Sequence, residues 1–383
     1  VATTDRDDTA GAGAGLAERL TAFFGESGYA RTEPPVLQPA GIFLDLSGED
    51  IRRRMFVTSD ADGAEWALRP EYTIPVARAF LAGGEPRLPA HLSYCGPVFR
   101  LRAGEPGEFV QAGIESFGRA DSEAADAEVL SLAVEAVVGA GLERPEIRLG
   151  DVSLFTALIG ALKLPAARVR KLKQAFAQGK LDAASIESLA NGQAVIGEHA
   201  GLLKTLHGQD PLAARAFVED LLKIAGISAV GGRTAGEIAE RFLVQAAAEA
   251  DGGIPAELQA LLARYAAIAG DPDAASAQLR ALAAEAKLDL SEALDSFDSR
   301  TGFIAARGVD VTTLAFSAAF GRNLDYYTGA VFEIRDARAA DQRPIVGGGR
   351  YDRLLQTLGA PSAIPAVGCS IWIDRLAASC GRR

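Results

Sequence analysis

Strand-type sequence occupies both ends of the chain and helix-type sequence fills its middle, which constrains the fold more than any other feature. Residues 15–119 and 300–383 carry short apolar runs broken by Gly, Pro and an Asp-Gly pair. Residues 120–299 are dominated by Ala, Leu, Glu and Lys, the strong helix formers. A strand buries its apolar face only against partners, so the two end regions are expected to share one sheet across the helical insertion. The expected class is α+β: a mixed, mostly antiparallel sheet flanked by helices. Residues 1–14 are small, polar and acidic and read as a disordered tail. With 383 residues the chain is long enough for a substantial core.

Local punctuation fills in this outline. Leu16, Leu20, Phe23 and Phe24 recur at helical spacing and Gly25 and Gly28 end the segment, predicting an opening helix over 16–27. Pro34 and Pro35 hold an extended entry, and Asp62-Gly63 joins RRRMFVTSD to EWALRP as a hairpin. A helix over 72–81 follows Pro70, and the tip AGEPG joins SYCGPVFRLR to EFVQAGIESFG as a second hairpin. In the middle block one strand, PEIRLGDVS, precedes helices near 153–162, 166–177, 211–225, 234–249, 255–269 and 273–286. Strands resume with VDVTTLAFSAAF, GAVFEIRD and RPIVGGGRYDRL, and IDRLAASC closes the chain as a helix. No fixed-period repeat is present.

Several function classes fall away. Lys+Arg 39 against Asp+Glu 50 gives a net charge of −11, opposite to the footprint of a polyanion binder, so no tRNA partner is expected. No apolar stretch reaches the roughly 18 residues of a spanning helix, and no signal peptide or lipidation motif is evident, so no membrane partner is expected. Three cysteines, Cys95, Cys369 and Cys380, match neither a zinc ribbon nor a redox pair, which points to a reducing, cytoplasmic compartment. His91, His199 and His207 lack metal spacing, and no cofactor or metal is expected. VGGGRYDRL (346–354) lacks the spacing and lysine of a phosphate loop, so its glycines are read as allowing close backbone approach. GGRTAGE (231–237) reads as a loop and helix cap.

The informative residues are polar groups inside apolar strands. LRPEYT places Arg69, Glu71 and Thr73 at alternate positions, FRLR places Arg100 and Arg102 two apart, and QAGIE separates Gln111 from Glu115 by four. Read as strands, each set shares one sheet face. RNLDYYTG adds Arg322, Asp325, Tyr326 and Tyr327. Buried polar groups must be paired, so these residues form either a self-satisfied network or a pocket for a zwitterionic ligand.

Four collinear segments, LRPEYTIPVAR (68–78), GPVFRLRAGEPGEFVQAGIESFG (96–118), GRNLDYYTGAVFEI (321–334) and GGGRYDRLLQTLGAPSAIPAVGCSIWIDRL (347–376), resemble the catalytic domain of histidyl-tRNA synthetase. SGYARTEPPVLQPAGIF (27–43) is similar to the first, dimer-forming motif of class II synthetases. The resemblance implies a class II synthetase-like sheet with a helical insertion and a homodimer. It also implies a histidine-binding set of Glu71, Thr73, Gln111, Glu115, Arg322, Tyr326 and Tyr327.

The nucleotide end departs from that family. Its second motif reads Phe-Arg-x-Glu, the Arg meeting phosphate and the Glu facing adenine; here Arg100 matches and Arg102 replaces the Glu. In the third motif Arg375 matches, while Trp372 stands at a glycine position beneath adenine. The loop after Arg102 is short, and eight residues follow Arg375, so no anticodon-binding domain is expected. With the amino-acid end kept and the nucleotide end altered, the chain resembles the regulatory subunits of ATP phosphoribosyltransferase. That resemblance implies a noncatalytic, histidine-binding protein without aminoacylation activity. Its partner would be a short-form catalytic subunit, in a hetero-oligomer serving the first step of histidine biosynthesis and its feedback control. A truncated or minimal histidyl-tRNA synthetase is the alternative.

Overall fold

The computed structural model describes residues 4–46, 51, 53–84, 87–102, 104–177, 254–322, 324 and 326–380, with isolated positions between 179 and 234. Helix α1 (Thr4–Glu26) opens the chain, followed by short strands β1 (Ala30–Arg31) and β2 (Leu37–Pro39), helix α2 (Ala40–Leu46), and strands β3 (Val57–Ser59) and β4 (Glu65–Leu68). Helix α3 (Thr73–Ala82) leads to the long hairpin β5 (Ala90–Phe99) and β6 (Glu108–Phe117). Helix α4 (Ser122–Ala140), strand β7 (Pro145–Asp151) and helices α5 (Val152–Ala161) and α6 (Ala166–Ala177) come next. After the small strands β8 (Ala229–Val230) and β9 (Arg233–Thr234) the order is α7 (Ala256–Ala266), β10 (Ala269–Gly270), α8 (Pro272–Ala286), α9 (Ser291–Ala306) and β11 (Ala315–Ser317). Strands β12 (Ala330–Asp336) and β13 (Val346–Arg350), helix α10 (Leu354–Thr357), strand β14 (Ala366–Trp372) and helix α11 (Ile373–Cys380) complete it.

The two ends of the chain do share one sheet. Among the described residues nine strands run in the order β1-β5-β6-β14-β13-β12-β7-β11-β10. The join is β6 with β14, antiparallel from Phe117↔Ala366 to Gln111↔Trp372. Only β1 with β5 and β11 with β7 are parallel, so the expected mixed, mostly antiparallel sheet is present. Both hairpins form as read: β3 pairs with β4 around Gly63, whose φ of +82 suits glycine, and β5 pairs with β6 from Ala90↔Phe117 to Phe99↔Glu108.

Three differences matter. Strand β7, read as a strand interrupting the helical block, lies inside the sheet between β12 and β11, where its backbone is paired on both sides and Ile147 joins the first core. Helices α4 and α9 were not separated from the general helical composition; they pack on each other, with α4 against β14. Helix α1 begins at Thr4 and so runs through most of the segment read as a disordered tail. The helices expected at 211–225 and 234–249, most of GGRTAGE, and His199 and His207 lie outside the described residues.

Period-two alternation distributes the sheet residues between two cores. Ala112 and Ile114 of β6, with Val367, Cys369 and Ile371 of β14, meet Leu16, Leu20 and Phe24 of α1 and Val129 and Ala133 of α4. The opposite face turns Phe109, Phe117 and Trp372 toward α3, Tyr94 and Tyr351. It is on this second face that the intervening positions Gln111 and Glu115 are brought together. A third cluster, around Leu154, Phe155, Leu158, Tyr265 and Phe297, knits the helical block to the sheet edge through Phe316.

Leu20 is 2% exposed and sits in the first core, whereas Leu37 is 48% exposed. Leu20→Ala should cost about 2–5 kcal/mol in denaturant unfolding, and Leu37→Ala should stay within about 0.5 kcal/mol. Equal effects would mean that α1 is not docked on the sheet.

Candidate functional site

A cavity of about 340 Å³ opens on the second sheet face, and its lining includes Glu71, Thr73, Gln111, Arg322, Tyr326 and Tyr327. Arg100, Trp372 and Arg375 line it as well. Of the residues expected to bind histidine or to mark the nucleotide end, the structure therefore gathers all into one place except Glu115 and Arg102.

Glu71 and Thr73 arrive there by a route other than the one read from alternation. Strand β4 ends at Leu68, and Pro70 breaks it, so Arg69, Glu71 and Thr73 do not share a strand face. Instead Glu71 stands at the start of α3, where its carboxylate accepts hydrogen bonds from the backbone N–H groups of Thr73 (2.7 Å) and Ile74 (2.9 Å). Arg69 turns away: it donates to the carbonyls of Pro97 (2.8 Å) and Pro34 (2.6 Å) and lies 4.1 Å from the Tyr72 ring centre. It braces the entry segment and does not reach the cavity.

Gln111 and Glu115 share a face of β6, as their spacing required, but at different depths. Gln111 lines the cavity, and its buried Oε1 has no partner among the described residues. Glu115 is fully buried behind Gly368; a Cβ on that glycine would overlap the Glu115 carboxylate. Thr73 Oγ1 donates to Glu115 Oε1 at 2.8 Å, and the Tyr351 hydroxyl donates to Oε2. Tyr351 is a member of this cluster that sequence reasoning missed; its signal was its place directly after the GGGR run, which was read only for its glycines. Burial pushes both carboxyls upward. For Glu115 the rise reaches about 8, with the Tyr351 and Thr73 hydrogen bonds opposing it and the neighbouring Glu71 adding to it. Glu71 is raised as well, chiefly by burial, against the pull of its backbone hydrogen bonds.

Arg322 enters from the segment between β11 and β12. Its guanidinium crosses Gly347, where any Cβ would collide with it, and Nη1 donates to the Phe332 carbonyl (3.1 Å) and Glu333 Oε1 (3.2 Å). Its buried Nε has no partner among the described residues. The triple glycine is thus a buried strand, β13, that admits side chains from its neighbours: Arg322 at Gly347 and Tyr327 at Gly349. The close-approach reading holds. Tyr326 and Tyr351 meet edge to face at 5.6 Å, and Tyr326 and Tyr327 at 5.0 Å, closing one wall with aromatic surface. Asp325 lies outside the described residues.

At the other end Arg100 donates through Nε to the Pro70 carbonyl (2.7 Å). Burial lowers its pKa to about 10; nearby Arg54 and Arg375 push the same way and Glu71 opposes. Trp372, at the end of β14, is 6% exposed, with Arg100 at 5.9 Å and Arg375 at 5.1 Å from the indole ring. Arg375 donates to the Pro344 carbonyl at 2.7 Å. Arg102 corrects a second expectation. Because β5 ends at Phe99, Arg100 and Arg102 are not fixed to one strand face, and Arg102 lies outside the cavity lining. It sits 3.9 Å from the Phe109 ring centre and pairs with Glu105 (2.7 Å) and Asp374 (3.3 Å). His91 meets Ser116 at 3.2 Å and takes no part, and the described residues contain no cluster suited to a metal ion.

The sequence profile of histidyl-tRNA synthetase matches residues 7–230 and 211–376. Proteins named ATP phosphoribosyltransferase regulatory subunit from Brucella canis and Brucella suis are 42% identical over 352 residues, covering 92% of this chain and 93% of theirs. Among solved structures, a Bacillus halodurans protein described as an ATP phosphoribosyltransferase regulatory subunit/histidyl-tRNA synthetase superposes with a TM-score of 0.68 at 21% identity, covering 97% of this chain and 80% of that one. A histidine–tRNA ligase subunit from Alicyclobacillus acidocaldarius gives 0.58 at 27% identity, covering 97% and 93%.

The buried Glu115 sets a pH dependence. From its ordinary 4.5 up to about 8, the folded chain retains a proton that the unfolded chain has released. Its contribution to stability therefore falls as pH rises through that window. Glu115→Gln should remove that component, so the stability difference between variant and parent, measured by urea unfolding from pH 5 to 8.5, should grow in favour of the variant. A parallel pair of profiles would show that the carboxylate is already ionised when folded. Gly368→Ala, by contrast, should destabilise at every pH, because the new methyl overlaps the carboxylate whatever its charge.

Proposed function

Because the chain belongs to the histidyl-tRNA synthetase family and, within it, to the ATP phosphoribosyltransferase regulatory subunits, we propose that its cavity binds free L-histidine as a regulatory ligand. The chain is a noncatalytic subunit of ATP phosphoribosyltransferase. The observation that carries the ligand reading is a pair of cavity-lining residues that each hold a buried polar atom with no partner among the described residues: the acceptor Gln111 Oε1 and the donor Arg322 Nε. A zwitterion supplies the ammonium that the first lacks and the carboxylate that the second lacks, as charge-assisted hydrogen bonds in a partly dry site.

Arg322 takes the carboxylate. Gln111, with Thr73 and Glu71 beside it, takes the ammonium group, and Glu71 supplies the counter-charge. The imidazole points toward Tyr326 and the Glu115 carboxyl behind it, which Thr73 and Tyr351 hold in place. Tyr327 packs over the ligand. Trp372 occupies the space between Arg100 and Arg375 that a purine would need, so ATP is not activated and no histidine is transferred to tRNA. The acidic chain, net −11, fits the absence of an RNA partner.

The protein partner is the short-form catalytic subunit, joined by a homodimer of this chain in a cytoplasmic hetero-oligomer; no described helix is long and apolar enough to cross a membrane. Histidine regulates that assembly to the extent that it binds two of its conformations unequally.

Calorimetry of the chain with L-histidine should give a saturable heat, and Gln111→Leu should weaken binding by about 1.5–3 kcal/mol, the scale of a hydrogen bond to a charged group. Histidine-dependent ATP–pyrophosphate exchange should be absent. Robust exchange would place the chain among the synthetases and overturn the regulatory reading.

A further inference from the structure

We propose that Asp126, which lies outside the cavity, is a positioning residue for it, and that the buried charge network centred on Asp126 carries ligand occupancy to the start of helix α5. This rests on the histidine reading and extends it to how the site communicates.

Asp126 sits on α4 and is 4% exposed. One carboxylate oxygen accepts from Arg350 through Nε (2.8 Å) and Nη2 (2.7 Å), and the other accepts from Arg300 Nε (2.8 Å). Two guanidinium groups thus share one carboxylate; Arg350 also donates to Asp352 (2.8 Å) and the Ser122 carbonyl (2.9 Å), so a shift of either arginine changes what Asp126 offers the other. Burial works against the charged form of Arg300, yet Asp151 and Asp126 outweigh it and hold the group protonated.

Each arginine has a second attachment. Arg350 lies between Gly349, which packs on Tyr327, and Tyr351, which donates to Glu115. Its backbone carbonyl accepts from Thr328 N–H at 2.8 Å, which fixes the residue after Tyr327. Tyr327 and Tyr351 are therefore both held beside Arg350 through its backbone. Arg300, on α9, extends Nη1 to Asp151 Oδ2 at 2.6 Å. The other oxygen of Asp151 caps α5, accepting from Ser153 N–H at 2.7 Å and Leu154 N–H at 3.4 Å. Asp126 is the single group common to both branches.

The surroundings leave slack for movement. Asp126, Arg300, Thr301 and Gly349 border a void of about 20 Å³, near the volume that one water needs. A shift of β13 on ligand binding moves Arg350, and through Asp126 and Arg300 changes the cap of α5, the helix on which Leu154 and Phe155 enter the core of the helical block.

The test compares the full chain with Asp126→Asn, which keeps the shape but removes the charge that two arginines share. Histidine affinity is measured by calorimetry, and amide hydrogen exchange at 152–161 is followed with and without histidine. In the parent, histidine should slow exchange both at 326–328 and at 152–161. In Asp126→Asn, binding should weaken roughly tenfold, within the usual range for coupling residues that touch no ligand, and protection at 152–161 should vanish while that at 326–328 persists. A purely structural role would change exchange without histidine but leave the histidine-dependent difference at α5 intact, and that result would overturn the proposal. If Asp126→Asn does not fold, Arg300→Lys, which cannot bridge both carboxylates, carries the same comparison. A parent that gives no heat with histidine sinks the histidine reading and this proposal together. A parent that binds histidine without protecting 152–161 sinks the proposal alone.

Discussion

Two ionisable side chains buried against bare backbone hold the site together: Arg322 over Gly347 and Glu115 behind Gly368. Each needs a position where the adjoining strand carries no Cβ, and those strands, β13 and β14, are neighbours in the sheet. The glycines thus let a strand surface, normally filled by apolar side chains, carry a cation and a carboxyl in its own thickness. Once they are seated, the rest follows from satisfying them. Thr73 and Tyr351 turn toward Glu115, Glu333 turns toward Arg322, and α3 must start where Thr73 can reach.

This arrangement explains why the join between the chain ends matters. Glu115 is on β6, from the first strand region, while Gly368 and Gly347 are on β14 and β13, from the last. The carboxyl is buried only because β6 pairs with β14 across an insertion, with Gly368 directly opposite Glu115. A chain that failed to close this pairing would leave Glu115 hydrated and the cavity without a floor. Fold and site are one event, and the insertion is constrained to leave the two ends within pairing distance.

Much of this was legible in the sequence, and the failures have physical causes. The opening helix, both hairpins and the shared sheet followed from periodicity and turn residues, which are local. Gln111 and Glu115 were correctly placed on one face because β6 is a regular strand throughout their interval. Arg69, Glu71 and Thr73 have the same alternation but no strand: Pro70 ends β4, and a carboxylate before a helix looks like every second residue of a strand. Arg102 was misplaced for a related reason, since strand β5 stops at Phe99 and a loop residue can turn either way. Tyr351 could not be found from spacing at all, because its partner Glu115 is 236 residues distant and its role depends on sheet order.

The position of Arg102 also sharpens what separates this chain from a synthetase. With its guanidinium over Phe109 and paired to Asp374 and Glu105, Arg102 places no charge in the cavity. The substitution therefore removes an acceptor without adding a repulsive cation. Trp372 is different in kind: it fills volume, and the two arginines that would otherwise reach phosphate lie against its ring. On the proposed reading, loss of an acceptor would weaken a nucleotide, whereas a buried indole in its place would exclude it. On that reading the steric change would dominate, and Gln111, directly opposite Trp372 in the β6–β14 register, would remain to serve the ligand. One strand position would thereby close one half of the site and preserve the other.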